Sequence, residues 1–128
     1  KENNPSYILE AIRKQFYVEI DVWLEDGGIS LGHDNPEYEV ELDFLFNSKL
    51  WCHAKNLEAL DLLLENKIKC FWHQDDDFTL TSNNFIWTFP KKNVINRSII
   101  VCRGLEETKE NYAKNIYGIC SDYVGLLT

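Results

Sequence analysis

The chain is 128 residues long, the size of one compact domain, and 45% hydrophobic with 13% aromatic content supports a sizeable core. A formal net charge of −8 argues against a nucleic-acid or phospholipid-headgroup surface, since both reward positive charge. No apolar run approaches the ~20 residues that a membrane span needs, and no secretory leader is visible, so stable membrane insertion is not expected.

Residues 4–16 read as a helix. Asn4 can cap it, Pro5 suits its first position, and Tyr7 or Ile8, Ala11, Ile12 and Phe16 recur at helical spacing. Residues 17–23 form the first strong strand. Asp26-Gly27-Gly28 signals a hairpin, and residues 29–33 a second short strand that Asn35-Pro36 breaks. Glu41 to Asn47 has room for a short helix only. Lys49 to Lys55 is a strand with Leu50, Cys52 and Ala54 on one face and Trp51, His53 and Lys55 on the other. Asn56 caps a helix through Asn66, with Leu57, Leu60, Leu63 and Leu64 as its apolar stripe. Lys67 to His73 is a further strand, followed by the acidic run Asp75-Asp76-Asp77. Phe78 to Asn84 reads as a turn or short helix, Phe85 to Phe89 as an aromatic strand stopped by Pro90, and Ser98 to Cys102 as a β-branched strand. Leu105 to Asn115 is a polar helix, and Ile116 to Ser121 is the last strand.

Strands alternating with helices, several of them apolar nearly throughout, predict an α/β fold with a mostly parallel sheet. About seven strands are expected. A full eight-stranded barrel takes about 250 residues, so the expectation is a compact, reduced TIM-type (β/α) barrel with several helices shortened or missing. The helix-poor stretch 77–97 fits such a reduction. Cys52, Cys70, Cys102 and Cys120 form no CxxC pair and lie in apolar runs, which predicts reduced, buried thiols and a cytoplasmic protein.

The candidate chemistry centres on Glu19 and Asp21. Two apart in a strand, they share one face, while Val18, Ile20 and Val22 point the other way. Adjacent carboxylates repel, and a divalent cation held by oxygens offsets that repulsion. His33, in Gly32-His33-Asp34, adds a group that titrates near neutrality. His53 is open between a ligand and a core histidine bonded to a backbone carbonyl. Lys55 is open between a phosphate contact and a partner for Glu19 or Asp21. Trp72 and His73 read as packing, Trp51 and Trp87 as core or rim aromatics, and Asp75 to Asp77 as a solvated loop. Asp122 either caps the last strand or holds a catalytic side chain.

The order of these pieces resembles the glycerophosphodiester phosphodiesterase family, whose barrel is shared with phosphatidylinositol-specific phospholipases C. Asn3-Asn4-Pro5 resembles the segment after the family's opening His-Arg-Gly. Glu19-Ile20-Asp21 is similar to its Glu-x-Asp metal pair and Gly32-His33-Asp34 to its His-Asp motif. His53-Ala54-Lys55 stands where the family has Glu-x-Lys. Ile86-Trp87-Thr88 and Gly118-Ile119-Cys120-Ser121-Asp122 resemble its closing strands. The resemblance implies one barrel domain over residues 1–128 and metal-dependent hydrolysis of a small phosphodiester in lipid metabolism. It implies His33 as the acid or base, Glu19, Asp21 and His53 as metal ligands, Lys55 on the phosphate, and Trp87 and Asp122 in support; His73 stands beside them as a further supporting candidate read from the sequence. It also implies Mg2+ or Ca2+, with a transition metal brought in by the imidazole of His53. The family's opening His-Arg-Gly is not in this chain. Either a preceding segment carries it, or the family reaction is not available. Two other readings stand beside the enzyme: an inactive relative that binds a phosphorylated ligand or a protein partner, and a zinc hydrolase built on His33, His53 and His73, which are 20 residues apart.

Overall fold

A computed structural model describes residues 2–112 and 114–127. Ala113, inside the helix expected to run to Asn115, lies outside the described residues, as do Lys1 and Thr128. The chain divides into two compact units, Lys1–Trp72 and His73–Thr128.

The first unit begins with α1 (Pro5–Arg13). Asn4 caps it by accepting from the Ser6 N–H at 3.0 Å, and Pro5 opens its first turn. The helix stops at Lys14 because Gln15 turns left-handed, at φ 72°. The Gln15 and Phe16 N–H groups then reach back to the Ile12 and Ala11 carbonyls, a Schellman closure. The sheet that follows comprises β1 (Val18–Glu25), β2 (Gly28–Leu31), β3 (Tyr38–Val40), β4 (Leu50–Ala54) and β5 (Cys70–Phe71), in the order β3-β2-β1-β4-β5. Asp26 and Gly27, both at positive φ, make the tight turn between β1 and β2. β1, β4 and β5 are parallel, while β2 and β3 add on antiparallel.

The crossover from β4 to β5 is α2 (Leu57–Glu65), capped by the Asn56 side chain on the Ala59 N–H. Its buried residues are Ala59 and Leu63, whereas Leu57 and Leu64 of the expected stripe are exposed. One face of the sheet, with Ile20, Val22, Leu31, Leu50, Cys52, Ala54 and Cys70, closes on Ile8 of α1 and on Ala59 and Leu63 of α2 to form the core.

The second unit holds β6 (Phe78–Leu80), β7 (Ile86–Thr88), β8 (Ser98–Val101), α3 (Gly104–Asn111) and β9 (Gly118–Cys120). Its sheet runs β6-β7-β8-β9, antiparallel at β6–β7 and parallel thereafter. β6 falls where a turn or short helix was expected. Its alternation is inverted: Thr79 is buried while Phe78 and Leu80 are exposed.

The α/β class is as expected, but the strands pair as two open mixed sheets and not as a closed barrel. The difference has local causes. β5 spans only Cys70–Phe71, because Lys67 turns left-handed (φ 56°) and Trp72 leaves the sheet. Among the described residues there are nine strands against the expected seven, the two additions being β3 and β6, three residues each. Cys52, Cys70 and Cys102 are buried and Cys120 is half-buried, and burial pushes the Cys52 thiol up to about 12. Among the described residues, no helix is long and apolar enough to cross a membrane.

Candidate metal centre

In the parallel pair of β1 and β4, Asp21 stands opposite His53 and Glu19 opposite Trp51. Alternation therefore puts Glu19, Asp21, Trp23, Trp51 and His53 on the face turned away from the core. There, His53 Nδ1 lies 3.1 Å from Asp21 Oδ1 and 3.8 Å from Glu19 Oε2. One donor atom from each of the three residues lies within 4.8 Å of the others. A cation bound at about 2.0–2.2 Å holds neighbouring donors roughly 3 Å apart, so small side-chain rotations suffice to bring all three onto one ion. The His53 ring stacks on Phe71 of β5 at 4.9 Å, which fixes its plane.

The charges are held tightly. Burial pushes the Glu19 carboxyl well above its ordinary range, and the neighbouring Asp21 carboxylate pushes it further. Burial also works to raise Asp21, but hydrogen bonds from His53 and Asn3 outweigh it and bring that carboxyl down to about 2. The pair is therefore an ionised Asp21 beside a Glu19 that resists ionising. A divalent cation between them removes that resistance, so the donor set fits one: two carboxylates and an imidazole, the mixture that suits first-row transition ions and zinc.

Asp21 meets three other side chains through four contacts. Its Oδ1 faces His53. Its Oδ2 accepts from Asn3 Nδ2 at 3.0 Å and lies 3.4 Å from His33 Nδ1, and its N–H donates to Asn3 Oδ1 at 2.8 Å. His33 comes from the loop after β2, and that loop is shaped by Gly32. A Cβ at Gly32 would run into the Asn35 carbonyl, the Gly32 N–H donates to the Asp21 carbonyl at 3.1 Å, and the Gly32 carbonyl accepts from the Trp23 indole at 2.7 Å. The His33 side chain is 63% exposed. Lys55 follows β4, its N–H on the Val22 carbonyl at 2.8 Å, and its positive charge draws both Glu19 and Asp21 downward.

The structure thus brings Glu19, Asp21, His33 and His53 together, with Lys55 in electrostatic reach. His73, Trp87 and Asp122 belong to the second unit. His73 Nδ1 lies 3.1 Å from the Gln74 carbonyl oxygen, Trp87 is buried opposite Thr79 and Ile99, and Asp122 is exposed in the turn after β9. Asp75 to Asp77 form an exposed loop, in which Asp76 accepts from the Gln74 N–H and Asp77 pairs with Lys92 at 3.5 Å. Trp51 is buried under the Lys69 ammonium, 4.2 Å above its ring. The site contacts that the sequence did not point to are Asn3, Trp23 and Phe71. Trp23 could have been found, since it continues the period that joins Glu19 to Asp21, whereas nothing in the sequence marks Asn3 as a partner of Asp21.

Compared with known protein families, with curated proteins and with solved structures, the chain finds no match.

Proposed function

We propose that Glu19, Asp21 and His53 hold a divalent cation and that the protein hydrolyses a small phosphodiester, glycerophosphodiester-like in kind, by general acid–base catalysis. The observation that carries this reading is the double engagement of one buried carboxylate: Asp21 meets His53 through Oδ1 and His33 through Oδ2. The bound cation would neutralise charge developing on the phosphate oxygens. His33 directs Nδ1 at Asp21, so its other nitrogen, Nε2, is the one that takes or gives a proton, with Asp21 steadying the ring as it charges. Lys55 supplies a point charge for the phosphate. His53 among the donors favours manganese or zinc over the magnesium or calcium that the family resemblance implies. The finer fold assignment, a reduced (β/α) barrel opened into two sheets, is part of the same reading. It is supported by two parallel runs, β1-β4-β5 and β7-β8-β9, each with a helix as a crossover. Four cysteines in largely buried positions support placing the protein in the cytoplasm.

The test is hydrolysis of bis(p-nitrophenyl) phosphate with Mn2+, Zn2+, Mg2+ and Ca2+ supplied in turn. Turnover that needs the cation and falls about 10²–10⁴-fold in His33→Ala is expected. No turnover with any ion, from the chain together with whatever precedes it in the natural protein, ends the enzymatic reading. One observation favours a second reading, binding without turnover: both ring nitrogens of His33 face carboxylates, Nδ1 at 3.4 Å from Asp21 and Nε2 at 3.9 Å from Asp34. That reading predicts thermal stabilisation by a phosphodiester in the presence of the cation, with no product formed.

A further inference from the structure

One buried polar contact in the first unit is required neither by the core nor by the donor set. Asn3 is 7% exposed, and its backbone sits in the left-handed region at φ 65°. Its side chain occupies a gap in the ladder between β1 and β2. The antiparallel register pairs Val22 with Leu31 and Trp23 with Ser30. Continued by one step, it sets Asp21 opposite Gly32, where each residue would donate its N–H to the other's carbonyl. Half of that exchange is present, the Gly32 N–H on the Asp21 carbonyl at 3.1 Å. The other half is not: the Gly32 carbonyl accepts from the Trp23 indole. Asn3 Oδ1 takes its place on the Asp21 N–H at 2.8 Å, and Asn3 Nδ2 donates to Asp21 Oδ2 at 3.0 Å.

We infer that Asn3 is a positioning residue: its amide replaces the Gly32 carbonyl at the edge of β1 and fixes the Asp21 carboxylate with Oδ1 toward His53 and Oδ2 toward His33. Two bonds from one planar group to the main chain and side chain of the same residue set both the height and the twist of that carboxylate. The exchange also frees the Gly32 carbonyl for Trp23, so that the chain can leave the sheet at Gly32 and carry His33 to the same oxygen. What the fixed carboxylate is for rests on the proposed cation site; that Asn3 fixes it does not. Groups that orient metal ligands from behind typically change metal affinity 10–100-fold when removed.

The test uses Asn3→Gly and Asn3→Asp in the full chain. Glycine accepts the left-handed backbone, so the first variant removes the amide without straining the turn. Aspartate keeps an acceptor for the Asp21 N–H and replaces the donor to Oδ2 by an oxygen. Three readouts apply: amide hydrogen exchange along β1, the imidazole NMR signals of His33 and His53 in metal-free protein, and Mn2+ affinity by calorimetry. In Asn3→Gly the Asp21 amide is expected to exchange about fivefold faster relative to Ile20 and Val22, the size of one lost hydrogen bond. Both imidazole signals shift, and Mn2+ affinity falls roughly 10–100-fold. In Asn3→Asp the Asp21 amide stays protected while the imidazole signals shift. Unchanged exchange and imidazole signals in Asn3→Gly overturn the inference, and so does a uniform loss of protection along β1, which marks a merely structural role. Should Asn3→Gly fail to fold, unchanged imidazole signals in Asn3→Asp overturn it alone. Should the wild-type chain take up no Mn2+, the proposed cation site falls, and the exchange and imidazole readouts still decide the role of Asn3.

Discussion

Glu19 and Ile20 are adjacent in β1 and point to opposite faces of the sheet. Ile20 is 0% exposed and packs in the core with Val22, Leu50 and Leu63. That face follows from the hydrophobic effect, each buried aliphatic side chain contributing about 1.5–3 kcal/mol. On the other face, the Asp21 side chain is 5% exposed and that of His53 11%, so it too is largely dry, yet it holds ionisable groups. Apolar residues of similar size at these positions would fold as well or better. One face of β1 is thus explained by stability, and the other departs from what stability alone favours, which is where function is expected to reside.

Adjacent substitutions should separate the two faces. Ile20→Ala is expected to lower the unfolding free energy by about 2–5 kcal/mol in urea denaturation, because it leaves a cavity among packed side chains. A loss below 1 kcal/mol would mean that the core face is looser than its burial indicates. The next effect in size comes from the cation. Mn2+ at a hundredfold excess over its dissociation constant should stabilise the fold by about 2.7 kcal/mol, read as a rise in Tm that EDTA reverses. No rise at any concentration would remove the cation from the site.

That stabilisation should grow with pH, and the sign follows from the two carboxyls. Glu19 has a folded pKa raised above its ordinary 4.5, so its contribution is fully present below 4.5 and is lost as pH rises through the raised value. Asp21 has a folded pKa lowered from 3.8 to about 2, so its contribution is present above 3.8 and is lost as pH falls through about 2. The metal-free protein therefore has both contributions together in full only between about 3.8 and 4.5, and it loses that of Glu19 as pH rises and the carboxyl is forced to ionise. A cation relieves that penalty and releases a proton on binding. Glu19→Gln, which cannot ionise, should raise metal-free stability at neutral pH by on the order of 1 kcal/mol and flatten its pH dependence, while abolishing cation binding. A lowered stability at neutral pH would show that Glu19 is held charged by partners other than an ion.

The core face was legible in the sequence because its signal is periodic: Val18, Ile20 and Val22, then Leu50, Cys52 and Ala54. So was the shared face of Glu19 and Asp21, which follows from the same period, and the Asp26-Gly27 turn, which needs the positive φ that such residues accept. Other features were hidden for physical reasons. β6 buries Thr79 and exposes Phe78 and Leu80, so its pattern reads backwards. Its turn is held by Thr81, whose hydroxyl accepts from the Phe85 N–H at 2.9 Å, a local bond that composition does not reveal. Asn3 meets Asp21 across 18 positions of chain. Such a contact exists only once the sheet has formed and Gly32 has turned its carbonyl elsewhere. The pairing of β1 with β4 and the meeting of Asp21 with two imidazoles are likewise products of register, not of spacing.

The smallest predicted effect comes from the two helix exits: the sequence placed the end of α1 too late and the start of the strand after α2 too early. α1 was expected to reach residue 16 and a strand to begin at 67, because no glycine announces either stop. Both helices nonetheless close in the same way. Gln15 and Lys67 take left-handed φ values of 72° and 56°, and the Phe16 and Ile68 N–H groups return to the Ala11 and Leu63 carbonyls. In α2 the closure also seats Ile68, 7% exposed, in the core beside Leu63. A side chain in this region crowds its own backbone, and glycine removes that strain at some cost in unfolded-chain entropy. Lys67→Gly should therefore stabilise the protein by about 0.5–1 kcal/mol, and Gln15→Gly by a similar amount, both seen as higher urea midpoints with unchanged slopes. Each change touches only the exit from a helix, so cation affinity should stay within twofold of wild type. A destabilised Lys67→Gly would show that the lysine side chain, and not the backbone turn alone, holds the end of α2 in place.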